Sequence, residues 1–155
     1  MTRRARLLAL LRQQLLQGVT PRRLALALGL AFALGIFPVL GATTMLCAVA
    51  GVLLRLNQPL LQLANYLVYP LQLALLLPFY RAGEWLFGMT PVPLLSVADL
   101  LRRFDADPWA FVADYARVGV AGIVVWLLLS PLLVGTLYGA LLLPLRRIAG
   151  REVPA

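Results

Sequence analysis

Gly35-Ile36-Phe37-Pro38-Val39-Leu40-Gly41 interrupts an apolar run, Leu24 to Leu54, that contains no charged residue. As one straight helix the run would span about 46 Å, against a bilayer hydrocarbon core of ~30 Å. Pro38 removes the amide that would have bonded the Leu34 carbonyl, so the helix breaks near its middle. Each half is then roughly 20 Å long, too short to cross a bilayer. The pattern predicts a re-entrant hairpin, or two short tilted helices meeting at the turn. Beyond the turn, Gly41, Thr43 and Thr44 suit a new helix N-terminus, and such an end inside a membrane attracts anions or polar groups.

Working outward, Arg55-Leu56-Asn57-Gln58-Pro59 forms a polar junction. Asn57 or Gln58 caps the next helix and Pro59 starts it. In this second apolar block, residues 59–87, Pro70 leaves the Tyr66 carbonyl without its intrahelical partner. Both blocks therefore read as half-helix, proline break, half-helix, a plan that in transporters points to a midplane site. Gln58, Gln62, Asn65, Tyr69 and Gln72 recur at steps of four and three, which puts them on one helical face. Lipid cannot satisfy such a stripe, so it meets water, protein or a ligand. It either lines a path or supplies interhelical hydrogen bonds, worth about 0.6 kcal/mol each on average.

The composition agrees with a membrane setting. Of 155 residues, 62% are hydrophobic and 13% charged, against roughly 45–50% and about 25% in soluble domains. The net charge of +8 comes from Arg alone, with no Lys. The arginines sit at the ends of apolar segments, which favours anionic lipid headgroups over nucleic acid as partner; a GC-rich genome would explain the choice of Arg equally well. One cysteine, Cys47, and no histidine exclude an internal disulfide, a Cys-based metal site, and Ser–His–Asp or zinc chemistry. With dispersed carboxylates as well, acid–base catalysis has few players. The expectation is a protein that is not an enzyme and has no cofactor.

Residues 1–18 read as an amphipathic interfacial helix, with Leu7, Leu8, Leu11 and Leu15 on one face. Thr20-Pro21 opens a single membrane domain, residues 19–145. Within it, residues 88–117 form an extracytoplasmic segment, with Ser96 and Asp107 as helix caps and Trp109 and Tyr115 suited to an interface. Arg81 and Glu84 are spaced to pair on a helix. Residues 118–143 make the final span, kinked at Ser130-Pro131, and residues 146–155 a basic cytoplasmic tail. Arginine placement puts both termini in the cytoplasm. An odd number of crossings then lies between Leu24 and Tyr80: a hairpin plus one crossing, or three. The fold class is all-α, a polytopic integral membrane protein with Pro/Gly-broken helices.

The run Gly35 to Gly41, then Leu56-Asn57-Gln58-Pro59, then Asn65-Tyr66-Leu67-Val68-Tyr69-Pro70-Leu71-Gln72, resembles the bacterial membrane family called domain of unknown function 2062. The resemblance covers about residues 20 to 140 and implies a place in the bacterial cytoplasmic (inner) membrane. Many members carry Asn-Pro-Leu-Thr where this chain has Tyr69-Pro70-Leu71-Gln72, so Asn65 stands in as the nearby amide. Relatives fused to glycosyltransferase-like domains imply lipid-linked sugar metabolism and a glycosyltransferase-like partner.

The functional expectation is a carrier or permeation element for an anionic amphiphile, a phospholipid or a polyprenyl-phosphate lipid. Gly41, Thr43 and Thr44 would present helix-end amides. Arg55, beside Asn57, would bind phosphate unless it only snorkels to the interface. Gln58, Gln62, Asn65, Tyr69 and Gln72 would line the path, which a homodimer would enclose. The alternative is a non-catalytic scaffold that docks a lipid- or glycan-modifying enzyme through the same stripe.

Overall fold

The computed structural model describes residues 20–94 and 96–150, with side chains described as far as Arg147. The expected amphipathic helix over residues 1–18 and the last residues of the tail lie outside the described residues. Five helices follow in order: α1 (Pro21–Gly35), α2 (Thr43–Leu53), α3 (Gln58–Leu86), α4 (Val97–Ala106) and α5 (Pro108–Gly150). The described residues contain no strand. The chain is all-α, as its sequence predicts.

The caps follow local chemistry. Thr20, Asn57 and Ser96 each accept an amide at the start of their helix, and Asp107 accepts those of Trp109 and Ala110. α2 departs from expectation: its cap position is Ala42, with no side-chain bond, and Thr43 and Thr44 already lie in its first turn.

α1 is the hub of the bundle, and its sequence shows why. Small residues alternate along it: Ala25, Ala27, Gly29, Ala31, Ala33 and Gly35 are all buried. At 100° per residue this is not a strand-like pattern but two small-residue ridges on opposite sides of a helix. Gly29 on one ridge approaches α5, where an added Cβ would lie 3.4 Å from the Val134 carbonyl oxygen. On the other ridge, Ala27 and Ala31 pack with Cys47, Leu56 and Leu61, and Gly35 faces Val68. Small side chains let backbones approach, which is how helices associate where no hydrophobic drive separates protein from lipid.

α1 and α2 form a hairpin beside α3. Gln62 meets Thr44, and Gln58 meets Ala48, so α2 runs antiparallel to α3. Arg55 and the start of α1 therefore lie at the same end of the bundle. Gln72 holds the turn about 21 Å up α3, roughly half the length of that helix. The hairpin stops partway along its neighbour.

The expected break at Pro70 does not occur. α3 continues helical through Pro70 and Pro78, and α5 continues through Pro131 and Pro144. Side-chain bonds on either side of Pro70, from Gln58 and Gln62 below and Gln72 and Tyr80 above, tie one helix to one hairpin. At Pro131 the freed Leu127 carbonyl accepts the Ser130 hydroxyl, 3.2 Å away. The final helix begins at Pro108, behind the expected Asp107 cap, and runs on without interruption through the expected span at residues 118–143.

Gln58–Leu86 and Pro108–Arg147 are long and apolar enough to cross a membrane, and only 17% of the most apolar 18-residue stretch of each is buried. A soluble protein's core helix would be mostly covered.

Candidate functional site

The polar stripe of α3 meets the hairpin and is largely spent on it. The Gln58 side-chain amide donates to the Ala48 carbonyl (2.7 Å), and Gln62 to that of Thr44 (3.0 Å). Gln72 donates to the carbonyls of Phe37 (2.8 Å) and Val39 (3.3 Å). Gly51 makes the first of these contacts fit, because a Cβ there would lie 2.4 Å from the Gln58 nitrogen. The Phe37 and Val39 carbonyls belong to the turn, where they also accept the Val39 and Ala42 amides, and those of Thr44 and Ala48 belong to α2.

Two donors that the stripe pattern does not contain complete the cradle. The Tyr80 hydroxyl donates to the Pro38 carbonyl (2.7 Å). The Trp126 indole donates to the Ala33 carbonyl (2.7 Å), and its ring meets Phe37 edge-on at 4.8 Å. Tyr80 is discoverable in sequence as Gln72 plus eight, two turns on. Trp126 is not, since it comes from a helix 93 residues away.

Gln62 and Gln72 donate, but their side-chain oxygens find no donor. Gln62 Oε1, Gln72 Oε1 and Asn65 Oδ1 are buried with no hydrogen bond. Asn65 is 3% exposed and Gln72 1%. Each buried oxygen left unpaired costs about 1–3 kcal/mol. Tyr69 does not join this set. It shares the azimuth but is 46% exposed. Gly41 itself lies exposed, in the left-handed conformation (φ 82°) that closes the turn, with nothing near its Cβ position. Thr43 is buried and Thr44 exposed.

Arg55 is exposed and sits at φ 52°. It ends α2 in a Schellman motif: its amide bonds the Val52 carbonyl and the Leu56 amide bonds that of Gly51. α3 ends in the same motif, with the Gly88 amide to Trp85 and the Met89 amide to Glu84. There the left-handed position is filled by glycine, at φ 62°. An arginine in that conformation costs about 1 kcal/mol relative to glycine.

Two hollows lined by arginine lie at opposite ends of the bundle. One, of about 580 Å³, is formed by Thr20, Pro21, Arg22 and Arg146, at the end that also holds Arg55. The other, of about 550 Å³, lies under α4 and includes Arg81, Arg102 and Arg103.

Among the described residues, loss of the turn's donors gives a direct test of the cradle. Gln72→Leu removes the side-chain donor shared by the Phe37 and Val39 carbonyls, which keep bonds from the Val39 and Ala42 amides, and is expected to lower stability by about 1 kcal/mol; Tyr80→Phe removes the donor to Pro38 and is also expected to cost about 1 kcal/mol. Denaturant unfolding in detergent micelles, followed by tryptophan fluorescence, reads both.

Two helices long and apolar enough to cross a membrane, a hairpin that ends partway along one of them, and a cradle of side-chain donors define an all-helical protein whose composition suggests membrane association. The chain belongs to the family described as uncharacterized protein conserved in bacteria, domain of unknown function 2062, whose model matches residues 4–152. No characterised protein and no solved structure matches it.

Proposed function

We propose that this is a non-enzymatic protein of the bacterial inner membrane that carries, or admits across the bilayer, an anionic amphiphile such as a phospholipid or polyprenyl-phosphate lipid. In this reading α1 and α2 form a re-entrant hairpin, α3 and α5 cross, and both termini face the cytoplasm. The observation that carries the proposal is the set of buried amide oxygens at Gln62, Asn65 and Gln72 with no partner. They sit beside a backbone turn in otherwise apolar surroundings, and they call for a ligand with hydroxyl or amine donors, such as a polar headgroup. Arg55 supplies the phosphate charge. Its strained backbone supports that role, because glycine would serve the fold at lower cost. A second copy would complete the wall on the open side of the turn, at Tyr69 and Gly41.

Arg55→Gly tests the proposal without damaging the fold. Stability is expected to stay equal or rise by about 1 kcal/mol, while anionic lipid retained in native mass spectrometry falls. Lipid translocation in proteoliposomes no faster than in empty liposomes, for monomer and dimer alike, would sink the carrier reading.

A scaffold role is favoured by one different feature. α4 has no buried residue and packs chiefly against α5, so it is free to dock a lipid- or glycan-modifying enzyme. Co-purification of such a partner, lost on changes in α4 and not at Arg55, would support this second reading.

A further inference from the structure

α4 has one charged and one apolar face, and much of the apolar face is uncovered. Asp99, Arg102, Arg103 and Ala106 recur at helical spacing and line the 550 Å³ cavity against Pro91, Val92 and Pro93. The opposite face carries Val97, Leu101 and Phe104, which are 68%, 58% and 47% exposed. Val97 and Leu101 lie open, while Phe104 meets the Phe111 ring of α5 edge-on at 5.5 Å. A helix with that polarity lies on lipid, its apolar side in the acyl boundary and its polar side at headgroup level. Trp85, Phe87 and Trp109 are exposed in the segments that flank this region, and aromatic residues of this kind mark a membrane–water interface.

The cavity itself is held in shape. Glu84, 2% exposed, accepts the Val92 amide (2.9 Å) and pairs with Arg81 (2.6 Å). Tyr115 donates to the Pro93 carbonyl (3.1 Å). Arg102 pairs with Asp99. The Ser96 hydroxyl, and after it Arg102, holds the Asp99 carboxyl below its usual range. Arg103 has no ion pair among the described residues, and it also borders a neighbouring hollow of about 330 Å³ with Arg117. Three guanidinium groups against Asp99 and Glu84 leave one positive charge in excess.

We propose that the cavity beneath α4, with Arg81, Arg102 and Arg103, binds the phosphate of a membrane lipid headgroup at the end of the bundle opposite Arg55. Arg103 makes the direct contact, since its donors are unspent. Arg81 is fixed by Glu84 with donors left over, and Arg102 closes the rim. Planar guanidinium groups suit phosphate oxygens through paired bonds. The site does not depend on what occupies the buried seam at Gln62, Asn65 and Gln72.

The test uses the full chain in mild detergent, titrated with dioleoyl phosphatidylglycerol and read by native mass spectrometry. Arg103→Gln is expected to weaken lipid binding about tenfold, and Arg102→Gln with Arg103→Gln further still. Both positions are exposed, so circular dichroism is expected to show an unchanged helix content. Arg55→Gly is the comparator: the ion count that it removes belongs to the other end, and the count that Arg103→Gln removes belongs here. Binding in the double variant within twofold of the unsubstituted chain overturns the proposal. Competition separates the sources of phosphate. Lipid retained in the presence of millimolar inorganic phosphate supports the headgroup site, whereas displacement by it overturns the lipid assignment in favour of a soluble phosphate.

Discussion

Gly83→Val is expected to lower folding stability by about 3 kcal/mol, the largest effect of any single glycine change in the bundle. A Cβ at Gly83 would lie 2.6 Å from the Ala121 carbonyl carbon and 2.8 Å from both the Ala121 Cβ and the Gly122 nitrogen. Those are mostly backbone atoms of α5, which cannot rotate away. Across the same contact, a Cβ at Gly122 would meet the Tyr80 ring at 2.7 Å. α3 and α5 touch here backbone to backbone, and a side chain between them must push the helices apart. The Tyr80 bond to Pro38 would be disturbed with it. The control is Gly119, three residues before Gly122, with nothing within 4 Å of its Cβ position. Gly119→Ala removes backbone freedom from a helix interior and is expected to raise stability by up to about 1 kcal/mol. Unfolding in increasing denaturant reads both signs in one experiment, and equal losses at the two positions would show that the close approach is not what Gly83 provides.

Glu84→Ala is expected to cost about 3 kcal/mol and to loosen the chain between Met89 and Leu94. Glu84 is nearly fully buried and holds two partners at once, the Arg81 guanidinium and the Val92 amide. Alanine leaves a buried amide without an acceptor and a guanidinium without its anchor. Glu84→Gln keeps an oxygen for Val92 while losing the ionic half, so roughly half the cost is expected. Limited proteolysis provides a second readout: cleavage between Met89 and Leu94 is expected to accelerate in the alanine variant more than in the glutamine one. An unchanged cleavage rate in Glu84→Ala would mean that Tyr115, through Pro93, holds this strap by itself.

Much of this architecture is written locally. Thr20, Asn57, Ser96 and Asp107 cap as their side chains predict, because an N-cap bond spans two or three residues and needs no distant partner. Pro38 ends the helical run, and Gly41, in the left-handed conformation, closes the turn. Pro70, with no glycine beside it, was read by the same rule as a break and is none. A missing amide costs a helix one bond, and here bonds from both halves of α3 to a single hairpin keep it straight through the loss. The stripe was legible in the spacing of Gln58, Gln62, Asn65 and Gln72. Its use was not: spacing gives azimuth but not what stands opposite, and Tyr69 is left exposed.

The sequence by itself determined the helical class, the turn at Pro38 and the polar face of α3. Each follows from composition, periodicity or a bond between near neighbours. Tertiary structure decided which carbonyls that polar face meets and which of its oxygens stay unpaired. It also decided that Trp126 caps α1, that Glu84 is buried, and that Arg81, Arg102 and Arg103 share one cavity. These are contacts between residues far apart in the chain, made possible by the small-residue ridges of α1 and by Gly83. Backbone proximity across helices sets them, and no local pattern encodes the distance between two helices until both are packed.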